Sequence, residues 1–228
     1  GEKADSDLVR RQNRMLVLDA LRQNGPLARI ELGRATGLSP ASITSITAQL
    51  IADGILSEVE AAAQPAGQMR RGRPLTQIDI APKSAHVLAV KISIDGIELA
   101  LADGRRTMLA RSVAKIATYD ARPEHFATQV AEAISAFLAR ARISARKVTR
   151  IGIAVQGVAD SQTGTIVWSP AFRERNLPLC PILQRILGIP CSIGNDANMI
   201  AEGLIGTDRK KYGGTCAVAF MGYGVGRA

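Results

Sequence analysis

The sequence predicts an α/β protein that begins with a small module of three helices and a β-hairpin. Three observations carry this reading. Apolar residues recur at helical spacing three times before residue 54, and each run closes on a glycine: Gly25, Gly37 and Gly54. Two β-type runs, 55–59 and 75–80, flank a loop rich in Ala, Gln, Gly and Arg. From about Ala85 onward, β-type runs alternate with helical ones, the pattern of a sheet with helical crossovers. With 228 residues, 46% of them hydrophobic and 21% charged, the composition is that of a packed protein and not of a disordered chain.

Each element has a local reason. Met15, Leu18 and Leu21 mark the inner face of the first helix, which stops at Asn24-Gly25-Pro26. A second helix spans about Arg29 to Thr36. Gly33 inside it costs about 1 kcal/mol relative to Ala, and is expected where another helix crosses close by. Ser39-Pro40 then supplies an N-cap followed by proline at the first helical position. The third helix, about Pro40 to Asp53, places Ile43, Ile46 and Leu50 on one face. Downstream, HVLAVKIS, IELALAD and TMLARSVAKI read as three successive strands, the first two joined by a turn at Asp95-Gly96. A helix over about Pro123 to Arg142 leads to a strand, VTRIGIAVQG, and a short strand around Ile166 to Trp168. A helix from about Pro178 to Leu187, a strand IPCSIG and a helix from about Asp196 to Leu204 precede a last strand, TCAVAFMG, and a glycine-rich turn.

Several function classes are set aside at this level. No apolar run approaches the ~20 residues that a membrane helix needs, and GEKADSDLVRRQNR has no signal-peptide core, so no membrane partner is expected. Cys180, Cys191 and Cys216 are odd in number, widely spaced and without a CxxC pair. They are read as buried small hydrophobes in a reducing cytoplasm. His86 and His125 have no partner at metal spacing and are assigned structural or surface roles, so no metal site is expected. The net charge of +9 does not by itself point to nucleic acid, because residues 1–83 hold only 11 basic against 9 acidic side chains. Residues 84–228 carry the remaining +7.

The N-terminal pattern, helix, Gly37-Leu38-Ser39, helix, then strand, loop and strand, is that of a winged helix-turn-helix over residues 1–82. In that geometry the second helix of the pair enters the DNA major groove. Its outward residues would be Ser39, Ala41, Ser42, Thr44 and Ser45, with Thr47 near the phosphate backbone. Small hydroxyls permit close approach and phosphate hydrogen bonds, but none forms a sharp bidentate base contact. The loop segment Arg70-Arg71-Gly72-Arg73-Pro74 reads either as a solvated basic loop or as a slim wing whose Arg71 and Arg73 lie in a narrow A·T-rich minor groove. A double-stranded operator is the partner this module implies.

In the remainder, residues 83–228, the clearest chemical signal is Gly194-Asn195-Asp196-Ala197-Asn198 at a strand-to-helix junction. A carboxylate and two amides there can bind the adjacent hydroxyls of a sugar, and one Asp can act as general base. An ordinary N-cap is the competing reading. Together with the GRP of the wing, IGIAVQGVAD at 151–160, WSPAF at 168–172 and PLCPILQRILGIP, this segment resembles the ROK family of repressors and sugar kinases, in its transcriptional-repressor branch. The likeness covers nearly the whole chain. It implies an actin-like (ribonuclease H-like) ATPase-type sugar-binding domain behind the winged helix: its first lobe and the start of the second. Asn195 and Asp196 would contact a sugar or sugar-phosphate effector, Gly157 would lie against it, and Asp196 stands where family kinases keep their catalytic base.

Departures from the family pattern separate repressor from kinase. At the first phosphate loop, Asp-x-Gly-Gly-Thr in the kinases, this chain has Lys91, Ser93, Ile94 and Asp95. Ile94 denies the close backbone approach that glycine gives a phosphate, and Asp95 repels it. The second loop survives in part as Gly222-Tyr223-Gly224-Val225-Gly226, where a plain glycine turn is the simpler reading. Gln156 replaces a Pro and Ala171 an Asn near the pocket. The resemblance therefore implies a non-enzymatic, sugar-responsive repressor, homodimeric or higher, with a sugar kinase carrying a DNA-binding module as the alternative. The family's Glu-x-Gly-His and cysteine-rich zinc motifs do not occur before Ala228, so the chain is expected to be C-terminally shortened. No cofactor is expected within it, a structural zinc belonging to the missing part.

Overall fold

The structure, a computed structural model, describes residues 2–60, 76–207, 219–221 and 225–227. The chain divides into two units, residues 1–84 and 85–228. The first contains α1 (Glu2–Asn24), β1 (Leu27–Ala28), α2 (Arg29–Thr36), α3 (Pro40–Ala52), β2 (Leu56–Val59) and β3 (Gln77–Ile80). Its strands form an antiparallel sheet in the order β1-β3-β2, with Val59 opposite Gln77 across the base of the hairpin. Val17, Leu21, Leu32, Ile43, Leu50, Leu56 and Ile78 are buried together, so each helix contributes one apolar stripe to a shared core. Ile46, expected on that inner face, is only half-buried against it.

The helix ends follow their local chemistry. Glu31 accepts the Ala28 N–H at 2.7 Å in the first turn of α2, and Gly37 ends that helix in the left-handed region, donating to the Gly33 carbonyl. The reason assigned to Gly33 needs correction. A Cβ built there would meet only the Leu38 carbonyl at 3.5 Å and Ile43 at 4.0 Å, ordinary contact distances. Helix α3 does reach this position through Ile43, but at a distance that leaves room for a methyl.

The second unit is built on a five-stranded sheet in the order β10-β7-β4-β5-β6: β4 (His86–Ser93), β5 (Gly96–Asp103), β6 (Met108–Ala114), β7 (Val148–Val155) and β10 (Cys191–Asn195). β4, β5 and β6 form an antiparallel meander, whereas β7 and β10 run parallel to β4. Helix α4 (Pro123–Arg140) makes the crossover from β6 to β7. The hairpin β8 (Val158–Asp160) with β9 (Thr165–Trp168), then α5 (Leu179–Leu187), lead to β10. Alternate residues of the central strands, Leu88, Val90 and Ile92 with Ile151, Ile153 and Val155, pack with Phe126, Val130 and Ile134 of α4 and with α5. Helix α6 (Asp196–Thr207) leans on Gly152 and Gly194, which alternate with those core residues; a Cβ on Gly194 would lie 3.1 Å from Met199. Strands β11 (Ala219–Met221) and β12 (Val225–Arg227) pair antiparallel.

The β4–β5 turn differs from expectation. Ile94-Asp95 is the two-residue connection, Ser93 pairs with Gly96, and Gly96 is the first residue of β5. Gly96 is needed because its φ is +136° and a Cβ would collide with the Ala114 carbonyl oxygen of β6.

Candidate functional site

Each unit carries a candidate site. In the first, α2, Gly37-Leu38-Ser39 and α3 form the helix-turn-helix. Ser39 caps α3, its Oγ accepting the Ser42 N–H at 3.2 Å, and Pro40 occupies the first turn. Ser39, Ala41, Thr44 and Ser45 are exposed and Ser42 half-buried, so all five sequence-predicted contacts gather at the N-terminal part of α3. No carboxylate stands in that first turn, which leaves the positive end of the helix dipole open to a phosphate. The Thr44 hydroxyl donates to the Pro40 carbonyl at 2.8 Å, and the Ser39 and Ser42 hydroxyls bond each other at 2.9 Å. These bonds fix the orientation of the polar face.

Thr47 does not belong to that face. It is fully buried, donating to the Ile43 carbonyl at 2.7 Å and accepting from Arg29 Nε at 3.2 Å. Arg29 also pairs with Glu58 at 3.0 Å, so one guanidinium ties the start of α2 to α3 and β2. Nothing in the sequence pattern singled out Arg29. Arg71 and Arg73 lie outside the described residues.

In the second unit, β7 and β10 run side by side and end together, Asn195 opposite Val155. Binding crevices of α/β sheets form at such carboxyl ends. Gly157 follows β7 with φ +120°, and a Cβ there would collide with the Trp168 carbonyl oxygen and lie 2.9 Å from Ser169 Cα. Its own carbonyl accepts Asn195 Nδ2 at 2.7 Å. Asn195 Oδ1 in turn accepts the Asn198 N–H at 3.1 Å in the first turn of α6. The N-cap reading holds, and the amide does more than cap: its oxygen holds the helix start and its nitrogen locks the Gly157 loop. Asp196 is the first residue of α6 and only 6% exposed, with Oδ1 accepting the Ala197 N–H at 2.9 Å. Gly157, Asn195 and Asp196 therefore converge at one place. Ala171 is buried in the core cluster.

Lys91 to Asp95, which the family resemblance reads as the phosphate-loop position, lie in the β4–β5 hairpin. Lys91 Nζ lies 3.5 Å from Glu98 on the neighbouring strand, and Arg111 of β6 shares that carboxylate at 3.3 Å. The Ile94 carbonyl accepts the Thr118 hydroxyl at 3.0 Å. At the second loop, residues 222–224 lie outside the described residues; Met221 and Val225 pair on either side. His86 is buried with no partner on Nδ1 among the described residues, and His125 is exposed. No group of three His, Cys, Asp or Glu suited to a metal is found among the described residues, nor any helix long and apolar enough to cross a membrane.

The ROK family model matches residues 87–228, from the second residue of β4 to the last residue of the chain. The chain belongs to the ROK family. A second model, winged helix-turn-helix DNA-binding, matches residues 10–57 ahead of the ROK domain. The chain is 29% identical over 206 residues to the DNA-binding transcriptional repressor Mlc of Escherichia coli strain K12, covering 89% of this chain and 49% of that protein. It is 26% identical over 195 residues to the dual regulator NagC of the same strain, covering 86% and 46%. A crystal structure of a ROK family transcriptional regulator, a homologue of the E. coli Mlc protein, superimposes with a TM-score of 0.63 at 26% identity, over 84% of this chain and 49% of that one. The chain spans about half the length of the curated relatives it matches. The fold is thus a winged helix-turn-helix followed by the actin-like sugar-kinase-type fold of ROK proteins.

Proposed function

We propose that this ROK protein is a sugar-responsive, DNA-binding transcription regulator that acts as a repressor and holds its sugar without phosphorylating it. One observation carries the reading: a capped α3 with an exposed hydroxyl face precedes, in the same chain, a ROK domain with a glycine-free hairpin turn at the kinase phosphate-loop position. The N-cap Ser39 and Ala41, Ser42, Thr44 and Ser45 of α3 enter the major groove, and Arg71 and Arg73 of the wing enter the flanking minor groove. Asn195 and Asp196 receive sugar hydroxyls beside the Gly157 backbone. Two copies on a pseudo-palindromic operator respond when sugar changes how their winged helices are presented. Relatives named as N-acetylglucosamine and xylose repressors put those two sugars first in the screen, with glucose beside them, each free and phosphorylated.

The test is retention of DNA from the gene's own promoter by the full chain, against a scrambled duplex at fixed salt. Sequence-specific retention supports the reading; equal affinity for both duplexes refutes it. The buried, helix-leading Asp196 favours a second reading, a sugar kinase bearing a DNA-binding module. A coupled ATP-consumption assay over the sugar panel separates the two: turnover abolished by Asp196→Asn would overturn the ranking, and the expected result is none.

A further inference from the structure

Two thiols take no part in either site. Cys180 is the second residue of α5 and Cys191 the first of β10, and both are free. They line one open cleft of about 560 Å³ together with Thr163, Gly164, Gln184 and Arg185. The Cys191 Sγ donates to the Ile189 carbonyl at 3.3 Å, and the two thiols are close enough to shift each other's pKa in opposite directions. The expectation of buried small hydrophobes holds for Cys180, while Cys191 is only half-buried; ten residues of intervening chain bring both to one cleft, which no CxxC spacing would announce. Their environments are unequal. Cys180 is 4% exposed and held from behind by Gly164, whose carbonyl accepts the Cys180 N–H at 3.0 Å and where a Cβ would lie 3.3 Å from the sulfur. Cys191 is half-buried, the more exposed of the two. The neighbouring Cys180 thiol and the charge of Arg150 hold the Cys191 thiol below its ordinary pKa, against the effect of burial. The same proximity, with burial, pushes Cys180 up.

We propose that Cys180 and Cys191 form a peroxide-reactive dithiol, in which Cys191 is the attacking and Cys180 the resolving sulfur. The chemistry balances without a cofactor. The Cys191 sulfur attacks one oxygen of a hydroperoxide; an S–O bond forms and the O–O bond breaks. The departing alkoxide or hydroxide takes up the thiol proton, leaving a sulfenic acid. The Cys180 sulfur then attacks the Cys191 sulfur, the S–S bond forms, and the hydroxyl leaves as water with the Cys180 proton. Two thiols and one hydroperoxide give one disulfide, one alcohol or water, and one further water. A reversible pair of this kind is the form that disulfides usually take in a reducing compartment. The bond would tie the start of α5 to the start of β10, the strand whose far end carries Asn195.

The test treats the full chain, as Cys216→Ser to leave only the pair, with a few equivalents of hydrogen peroxide, then blocks free thiols and maps peptides by mass. A Cys180–Cys191 cross-linked peptide, reversed by dithiothreitol, is expected. In Cys180→Ser, dimedone should instead label Cys191. Iodoacetamide at neutral pH should modify Cys191 of the untreated protein at least about tenfold faster than Cys180. Failure of the cross-linked peptide to form while Cys191 over-oxidises to sulfinic acid would overturn the proposal. So would equal alkylation rates at the two sulfurs. Both of these readouts use folded protein with the pair intact.

Discussion

Replacing Gly157 by alanine tests the geometry of the ROK site through two effects that can be sized. The backbone there sits at φ +120°, a region that L side chains occupy only under strain, costing about 1–3 kcal/mol. The new methyl would also collide with the Trp168 carbonyl and the Ser169 backbone, which must move away from the loop. That movement disturbs the 2.7 Å bond from Asn195 to the Gly157 carbonyl, a contribution of about 1 kcal/mol net. Together these give an expected destabilisation of about 2–4 kcal/mol. Gly188→Ala is the control, since φ there is +68° but no atom lies within 4 Å of the added Cβ; its cost should be about 1–2 kcal/mol. Urea unfolding followed by fluorescence of Trp168, the chain's single tryptophan, reports on the ROK domain and not on the winged helix. A Gly157→Ala midpoint shift no larger than that of Gly188→Ala would refute the close approach.

Two other outcomes follow from the winged helix. Gly33→Ala should stabilise that unit by about 0.5–1 kcal/mol, because α2 gains helix propensity and the methyl finds open contact distances; destabilisation in circular-dichroism melts would mean that a helix does cross tightly there. Arg71→Ala with Arg73→Ala should weaken operator binding and make the slope of log affinity against log salt shallower by about 1–2, whereas an unchanged affinity and slope would remove the wing from the interface.

The parts of this molecule that were legible in the sequence are those governed by short-range chemistry. Ser39-Pro40 and Gly37 announce α3 and the end of α2 because caps act within four residues. The β-rich run HVLAVKIS announces β4, and in the structure burial alternates residue by residue along it. Thr47 was misplaced because a hydroxyl on a helix reads as polar, while its bonds to the Ile43 carbonyl and Arg29 make it a core residue. The two-residue β1 and three-residue β8 carry too few side chains to show a period. Gly96 was assigned to a turn because the approach of Ala114 that demands it comes from another strand. The same limit hid the Cys180–Cys191 pair, which exists only once α5 packs on β10. At the site, Asn195 and Asp196 stood out by residue type and position. Their link to Gly157 from the sequence alone rested on family resemblance, and the 2.7 Å bond now gives it a physical basis.

Operator affinity measured with and without sugar tests the central claim most directly. Fluorescence anisotropy on labelled promoter DNA, at one salt concentration, should show that one member of the sugar panel changes the affinity of the full chain by at least about fivefold, the lower end of ordinary allosteric coupling. In Asp196→Asn the operator should still bind and the sugar effect should vanish. Specific operator binding that no sugar alters, or a sugar effect that survives Asp196→Asn unchanged, would contradict the account.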